Sequence, residues 1–256
     1  SNGMSAGNTQ DEARTQALSE IFERHVKFRI IGEGLCLPDV PAEVIARYPA
    51  IAAGIQGLRE AGFGILVKDA SLGGHYPVMC VTMLNPHDQG VFASFGAHPR
   101  FEIALERALT ELLQGRALEA LDGFPPPGFD LEEVASAPNI EIHFVDSSGI
   151  VHWNFFNENA DFAFVDWNFN NLENGKTADD YAWLAERIHA DGHDIYVGDF
   201  DHLGVYACRI LVPGISEIYP IDDLEWENNS NGAAVSPPIL NLAELDDDQC
   251  GQLLDT

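Results

Sequence analysis

Two apolar runs, "PVMCVTML" and "GVFASFG", stand five residues apart, with "NPHDQ" between them. Parallel strands need a crossover of a dozen or more residues, so so short a gap reads as an antiparallel hairpin. A third strand-like run, "GILVKDA", comes before them. A helical segment from Pro99 to about Leu121 comes after, with Pro99 near its first position, where a missing N–H costs nothing. This order limits the chain to layered sheets covered by helices, an α+β class of mixed α/β layers with an antiparallel hairpin and two long helices.

The first long helix is expected over residues 9–31. Thr9 and Glu12 have capping-box spacing, and Asp11 and Glu12 suit the positive end of the helix dipole. Ala13, Ala17, Leu18, Ile21, Phe22 and Val26 give it an apolar stripe. "CLPDVPAEVIARYPAIAAGIQGLREAGF" reads as two short helices stopped at Gly62. The proline-rich stretch 122–138 reads as a surface connection. It divides the chain into an expected core (1–121), a continuing α/β sub-domain (122–230) and an acidic tail (231–256). Beyond the connection come the apolar segments "IEIHFVD" and "FAFVDWNF", the helix "ADDYAWLAERIHADG" and the strands "DIYVGDF" and "VYACRILVPG". One internal echo stands out: "SAGN…QALSEIFER" against "SFGAH…RALTELLQG". Each is a small-residue turn feeding a helix, and two such units could face each other across a site.

The 256 residues carry 41 acidic and 13 basic side chains, a net charge of −28. Such a surface repels phosphate backbones, which argues against nucleic acid as the main partner and favours a peptide or protein substrate or a cation-bridged anion. No run approaches the ~18–20 apolar residues of a membrane span. No secretory signal is visible, so the expected compartment is cytoplasmic. The four cysteines are scattered, and Cys80 and Cys208 sit in apolar runs as buried thiols.

Function turns on the first helix. Glu12, Gln16, Glu20 and Glu23 follow one another at spacings of four, four and three and share a face. Like charges so placed cost roughly 0.2–0.5 kcal/mol per pair, which a solvated face tolerates. The same column could hold one or two Mg2+ ions, which take one or two carboxylates each and complete their shell with water and phosphate. The preceding "SNGMSAGN" offers backbone N–H groups to an anion, and Arg24 and Arg107 could neutralise phosphate. Spacing alone leaves both readings open. Other candidates are lesser: the "HADGH" pair His189 and His193, with Gly192 breaking the turn; Asp199, Asp201 and His202 at a strand end; His98 as a cap or phosphate contact; and Ser147–Gly149 as a turn.

Taken together, the first-helix segment, "DASLGGHYPVMCV", "FASFGAHPRFEIALERALTELLQGR", "DSSG", "HLGVYACRILVPGISEIYP" and "ENNSNG" closely resemble the YcaO family, in particular its bacterial branch of ribosomal-protein methylthiotransferase accessory factors. The resemblance implies a YcaO-type fold and an ATP-dependent enzyme. In that chemistry a nucleophile attacks a peptide carbonyl, ATP phosphorylates the resulting oxyanion, and phosphate departs. It also implies Mg2+ facing Glu12, Glu20 and Glu23, and nucleotide contacts from Asn8, Gln16, Arg24 and Arg107. Implied partners are a peptide or protein substrate, the ribosomal-protein modification machinery, and a second copy in a homodimer. Because the family's upstream Ser-xxx-Glu-xx-Glu helix has no counterpart here, the chain is expected to be a fragment with weak or no ATP affinity of its own. The alternative is a non-catalytic acidic adaptor that docks a basic protein.

Overall fold

The computed structural model describes residues 2–167, 176–202 and 204–217. Strand β1 (Met4–Gly7) leads into helix α1 (Gln10–Glu33). Thr9 caps that helix, its Oγ1 accepting from the Glu12 N–H at 3.2 Å. The Glu12 carboxylate does not close the box onto Thr9. It reaches one residue further and accepts from the Asn8 backbone N–H at 3.0 Å. Gly34 ends the helix at φ +63°, the left-handed stop at which glycine carries no Cβ penalty.

Short helices α2 (Ala42–Ile45) and α3 (Pro49–Glu60) follow. The expected three strands come next: β2 (Gly64–Asp69), β3 (Val78–Leu84) and β4 (Val91–Ala97), in the order β2-β3-β4 and antiparallel throughout. Both faces of this sheet are covered, which is why its strands read as unbroken apolar runs. Val91, Ala93, Phe95 and Ala97 pack into one core with α1. Phe92, Met79, Val81 and Met83 pack into a second core with α3 and the next helix, α4.

Helix α4 spans Phe101–Leu113, shorter at both ends than the sequence suggests. Arg100, not Pro99, is its N-cap. At the far end Gln114 and Gly115 take positive φ of 43° and 74° and break it, leaving Leu118–Ala120 as a separate 3-10 turn. The proline-rich stretch is tied into the body. Phe124 is buried in the second core beside Leu121, which precedes the stretch, and Pro125 O accepts from the Val91 N–H at 3.0 Å. It also holds α5 (Leu131–Val134), whose Val134 joins the first core. All of "IEIHFVD" but its final aspartate, the C-cap Asp146, lies within α6 (Ala137–Val145), whose N-cap is Ser136. Asp69, buried in β2, holds the Phe162–Trp167 segment by accepting from the Val165 N–H and from Trp167 Nε1 at 3.2 and 3.0 Å. The remainder of "FAFVDWNF" and the acidic tail fall outside the described residues.

Helix α7 (Thr177–Ala190) and the hairpin β5 (Tyr196–His202) and β6 (Val205–Leu211) complete the fold. β6 pairs with both β5 and β1, giving a second antiparallel sheet, β1-β6-β5. Helix α1 packs against β1 and β6 of this sheet, against β3 and β4 of the other, and along α7. It is the central helix, and its polar positions can open only at gaps between its neighbours.

Candidate functional site

One such gap lies where α1, the end of α4 and the end of α6 converge. It is a cavity of about 230 Å3, with Gln16, Glu20, Glu23, Arg24 and Lys27 of α1 on one wall. Glu111 and Gln114 face them, with Phe144, Val145 and Ser147 along the remaining edge. The acidic stripe therefore lines an interior pocket over its C-terminal half. Glu12 and Asn8 lie outside that lining and are bound to each other: Asn8 Nδ2 and its backbone N–H both donate to Glu12 Oε2, at 3.3 and 3.0 Å. Glu12 stands eight residues from Glu20, about 12 Å along a helix.

Arg107 locks α4 to α1. Its Nη1 donates to Ala97 O at 3.0 Å and its Nη2 to Gln16 Oε1. The internal echo acquires physical meaning here. Gln16, Glu20 and Glu23 match Arg107, Glu111 and Gln114 position for position, and the first pair is joined by a hydrogen bond across the interface. The glycines match too. A Cβ on Gly7 would meet the backbone of Ala13 at 2.9 Å, and one on Gly96 would meet that of Ala104 at 2.4 Å. In both units glycine lets the strand lie directly under its helix.

Electrostatics set the two pocket glutamates apart from surface residues. Burial raises the Glu20 carboxyl, opposed by Arg24, whose Nη2 sits 2.7 Å from Glu20 Oε1. Burial pushes Glu23 up to about 7; Lys27 opposes the rise and Glu111 adds to it. Among the described residues Glu23 makes no hydrogen bond or ion pair, so desolvation is uncompensated except at longer range. Burial also lowers the Arg107 guanidinium, against the pull of Glu23 and Glu111. Among the described residues no three carboxylates, histidines or cysteines form a metal-ligand cluster. Mg2+ does not need one, since one or two carboxylates plus phosphate oxygens and water suffice. A desolvated carboxylate lacking a donor beside a second carboxylate fits a hard cation, and Glu20 and Glu23 would hold it.

Of the sequence-derived candidates, Gln16, Glu20, Glu23, Arg24 and Arg107 come together here. Sequence reasoning missed Glu111, Gln114, Lys27 and Ser147. The echo held a signal for the first two, which repeat the polar spacing of the first helix. The lesser candidates go elsewhere. Asp199 is paired with Arg14. His189 Nδ1 and His193 Nδ1 bond the backbone oxygens of His193 and Pro213. His98 Nδ1 accepts from the Arg100 N–H at 3.0 Å, next to the start of α4.

A match to the YcaO cyclodehydratase family, described as ATP- and Mg2+-binding, covers residues 1–216. The chain belongs to the YcaO family. It is 55% identical over 242 residues to the ribosomal protein S12 methylthiotransferase accessory factor YcaO of Escherichia coli, covering 94% of this chain and 41% of that protein. An uncharacterised Haemophilus influenzae protein is 53% identical, with 94% and 40% covered. The chain thus spans about two fifths of the length of these relatives. Among solved structures, the heterocyclase TruD has a TM-score of 0.59 at 19% identity, with 84% of this chain and 29% of that one covered. YcaO from Methanopyrus kandleri, bound with AMPPCP and Mg2+, has 0.53 at 22%, with 84% and 54% covered. These likenesses support the mixed α/β fold. Among the described residues no helix is long and apolar enough to cross a membrane.

Proposed function

We propose that this YcaO-family chain supplies one wall of a Mg-ATP site in a protein that activates peptide-backbone amides, in a role accessory to ribosomal-protein methylthiolation. The observation carrying this reading is Glu23: a desolvated carboxyl, raised to about 7, lining a pocket beside Glu20, Glu111 and Arg24. The E. coli relative is named for that accessory role, and the M. kandleri neighbour holds AMPPCP and Mg2+. When bound, ATP would supply a phosphoryl group to the oxyanion formed by attack on the amide carbonyl. The chain's own contribution is positional and electrostatic. Glu20 and Glu23 hold a divalent ion, Arg107 and Gln16 fix the spacing of α1 and α4, and Arg24 balances charge. Asn8, just before α1, and Glu12 in its first turn stand far enough from Glu20 and Glu23 to touch a different part of the same ligand, or a second ion.

The test is Mg-ATP titration of the natural full-length polypeptide carrying this chain, beside Glu20→Gln and Glu23→Gln. Either change is expected to weaken binding about tenfold or more, the loss of one charge-assisted contact. Unchanged affinity in both would leave the acidic adaptor as the better account, with the charge of −28 serving a basic partner.

A further inference from the structure

The pocket wall holds a buried ammonium that faces the carboxylate column electrostatically but gives its hydrogen bonds elsewhere. Lys27 is 5% exposed, and its Nζ lies 5.7 Å from the Phe95 ring centroid. It donates to the main-chain oxygen of His143 and to Ser147 Oγ, the latter at 2.6 Å. The His143 carbonyl belongs to the last turn of α6, where carbonyls lack partners within the helix and the dipole favours a cation. Lys27 therefore closes the end of that helix, but this uses only two of an ammonium's three donors. Among the described residues the third has no acceptor, although the side chain lines the pocket. Burial draws the Lys27 pKa down to about 8, with Glu23 opposing. Arg24, by contrast, is already engaged with Glu20.

We propose that Lys27 is an anion-contacting residue of this pocket, its third N–H binding a terminal phosphate oxygen of the nucleotide while Ser147 and the His143 carbonyl hold the ammonium in place. This rests on the Mg-nucleotide reading of the pocket and adds to it a residue that senses the outermost phosphate. Ser147 adopts φ +61°, a left-handed conformation uncommon for serine, and it is this serine that fixes the ammonium.

The sign of the charge separates contact from mere helix capping. Removing a positive charge from beside carboxylates favours a bare cation and disfavours an anion. The experiment uses the natural full-length polypeptide, with Lys27→Met and Ser147→Ala beside the unaltered protein. Three probes are titrated: Mn2+ alone, Mg-AMPPNP and Mg-ADP. Lys27→Met is expected to bind Mn2+ at least as tightly as the unaltered protein and to lose about tenfold or more in Mg-AMPPNP affinity, one hydrogen bond to a charged group. Mg-ADP affinity changes little. Ser147→Ala, which keeps the lysine, is expected to show a smaller loss confined to Mg-AMPPNP, and it carries the test should Lys27→Met not fold. Unchanged Mg-AMPPNP affinity, or parallel losses for all three probes, overturns the proposal. Failure of the unaltered protein to bind any of the three overturns the pocket reading itself, and the proposal with it.

Discussion

Gly96 decides how closely α4 can approach β4, and with it where Arg107 and Glu111 stand. Its φ is unremarkable, so the requirement is space alone. A Cβ built there would lie 2.4 Å from Ala104 O, 2.4 Å from Ala108 N and 2.8 Å from Arg107 Cβ. Two of these are helix backbone atoms that no rotamer change can move. Ordinary contact begins at 3.4 Å, so Gly96→Ala forces the helix to retreat by about 1 Å, an overpacking that falls at the upper end of the usual 1–3 kcal/mol. For a chain of this size, about 3 kcal/mol corresponds to a fall in Tm of roughly 6–12 °C. Ser94 Oγ donates to Ala108 O, and Arg107 bonds Gln16 and Ala97 O, so the same retreat loosens the pocket. Gly57→Ala is the control: it lies inside α3 with nothing within 4 Å of its added Cβ, and is expected to stabilise by about 0.4–1 kcal/mol. Urea unfolding followed by circular dichroism measures both. A Gly96→Ala protein within about 0.5 kcal/mol of the original would refute the argument that backbone contact fixes the strand–helix distance.

Asp180, 2% exposed, accepts two hydrogen bonds from Arg100, at 3.2 and 2.6 Å, tying α7 to the start of α4. Asp180→Ala strands a guanidinium that is 27% exposed. Partial rehydration then brings the usual penalty for a broken buried pair down to about 2–3 kcal/mol, and a loss under about 1 kcal/mol by the same unfolding assay would count against it. Stability should also fall in mild acid. Burial holds His98 and His143 down to about 3, so between the ordinary value of 6.5 and about 3 the unfolded chain binds protons that the folded chain refuses, and stability rises with pH over that window. Burial lowers His25 to about 4 in the same sense. Glu23, raised to about 7, and Glu20, also raised, act in the opposite sense above 4.5, two groups against three. The urea midpoint is therefore expected to drop from pH 6.5 to pH 5, and a flat profile would contradict the burial of these rings as neutral imidazoles.

What could be read from the sequence follows from how local each signal is. The hairpin, the Gly62 stop and the Thr9 cap depend on a few neighbouring residues, and each appears as expected. The far end of α4 does not, because its apolar pattern continues past Gln114 while the left-handed turn at Gln114 and Gly115 depends on a choice of backbone that composition does not dictate. "IEIHFVD" is β-branched enough to suit a strand, yet Ser136 and Pro138 at the front of α6 decide for helix. Lys27 escapes a sequence reading because nothing in its vicinity names Ser147, 120 residues away. Pockets are assembled by such distant pairs, and only the internal echo carried any of that geometry in one dimension.

The echo also explains how like charges come to share a cavity. In the first strand–turn–helix unit built alone, Glu20 and Glu23 would share an open face at a cost of a few tenths of a kcal/mol, and the second would show Glu111 there without a like-charged neighbour among the matched positions. Facing the two units brings Glu20 and Glu23 against Glu111, and the cost becomes one of desolvation, visible in the raised Glu23 carboxyl. The matched positions Gln16 and Arg107 hold the two helices at this distance through a direct hydrogen bond. Glycine under each helix prevents either from backing away without losing its packing. Burial thus opposes charge on Glu20 and Glu23, and Arg24, Lys27 and Arg107 offset part of that cost. A divalent cation held there, as proposed above, would offset that desolvation and favour the ionised form of Glu23.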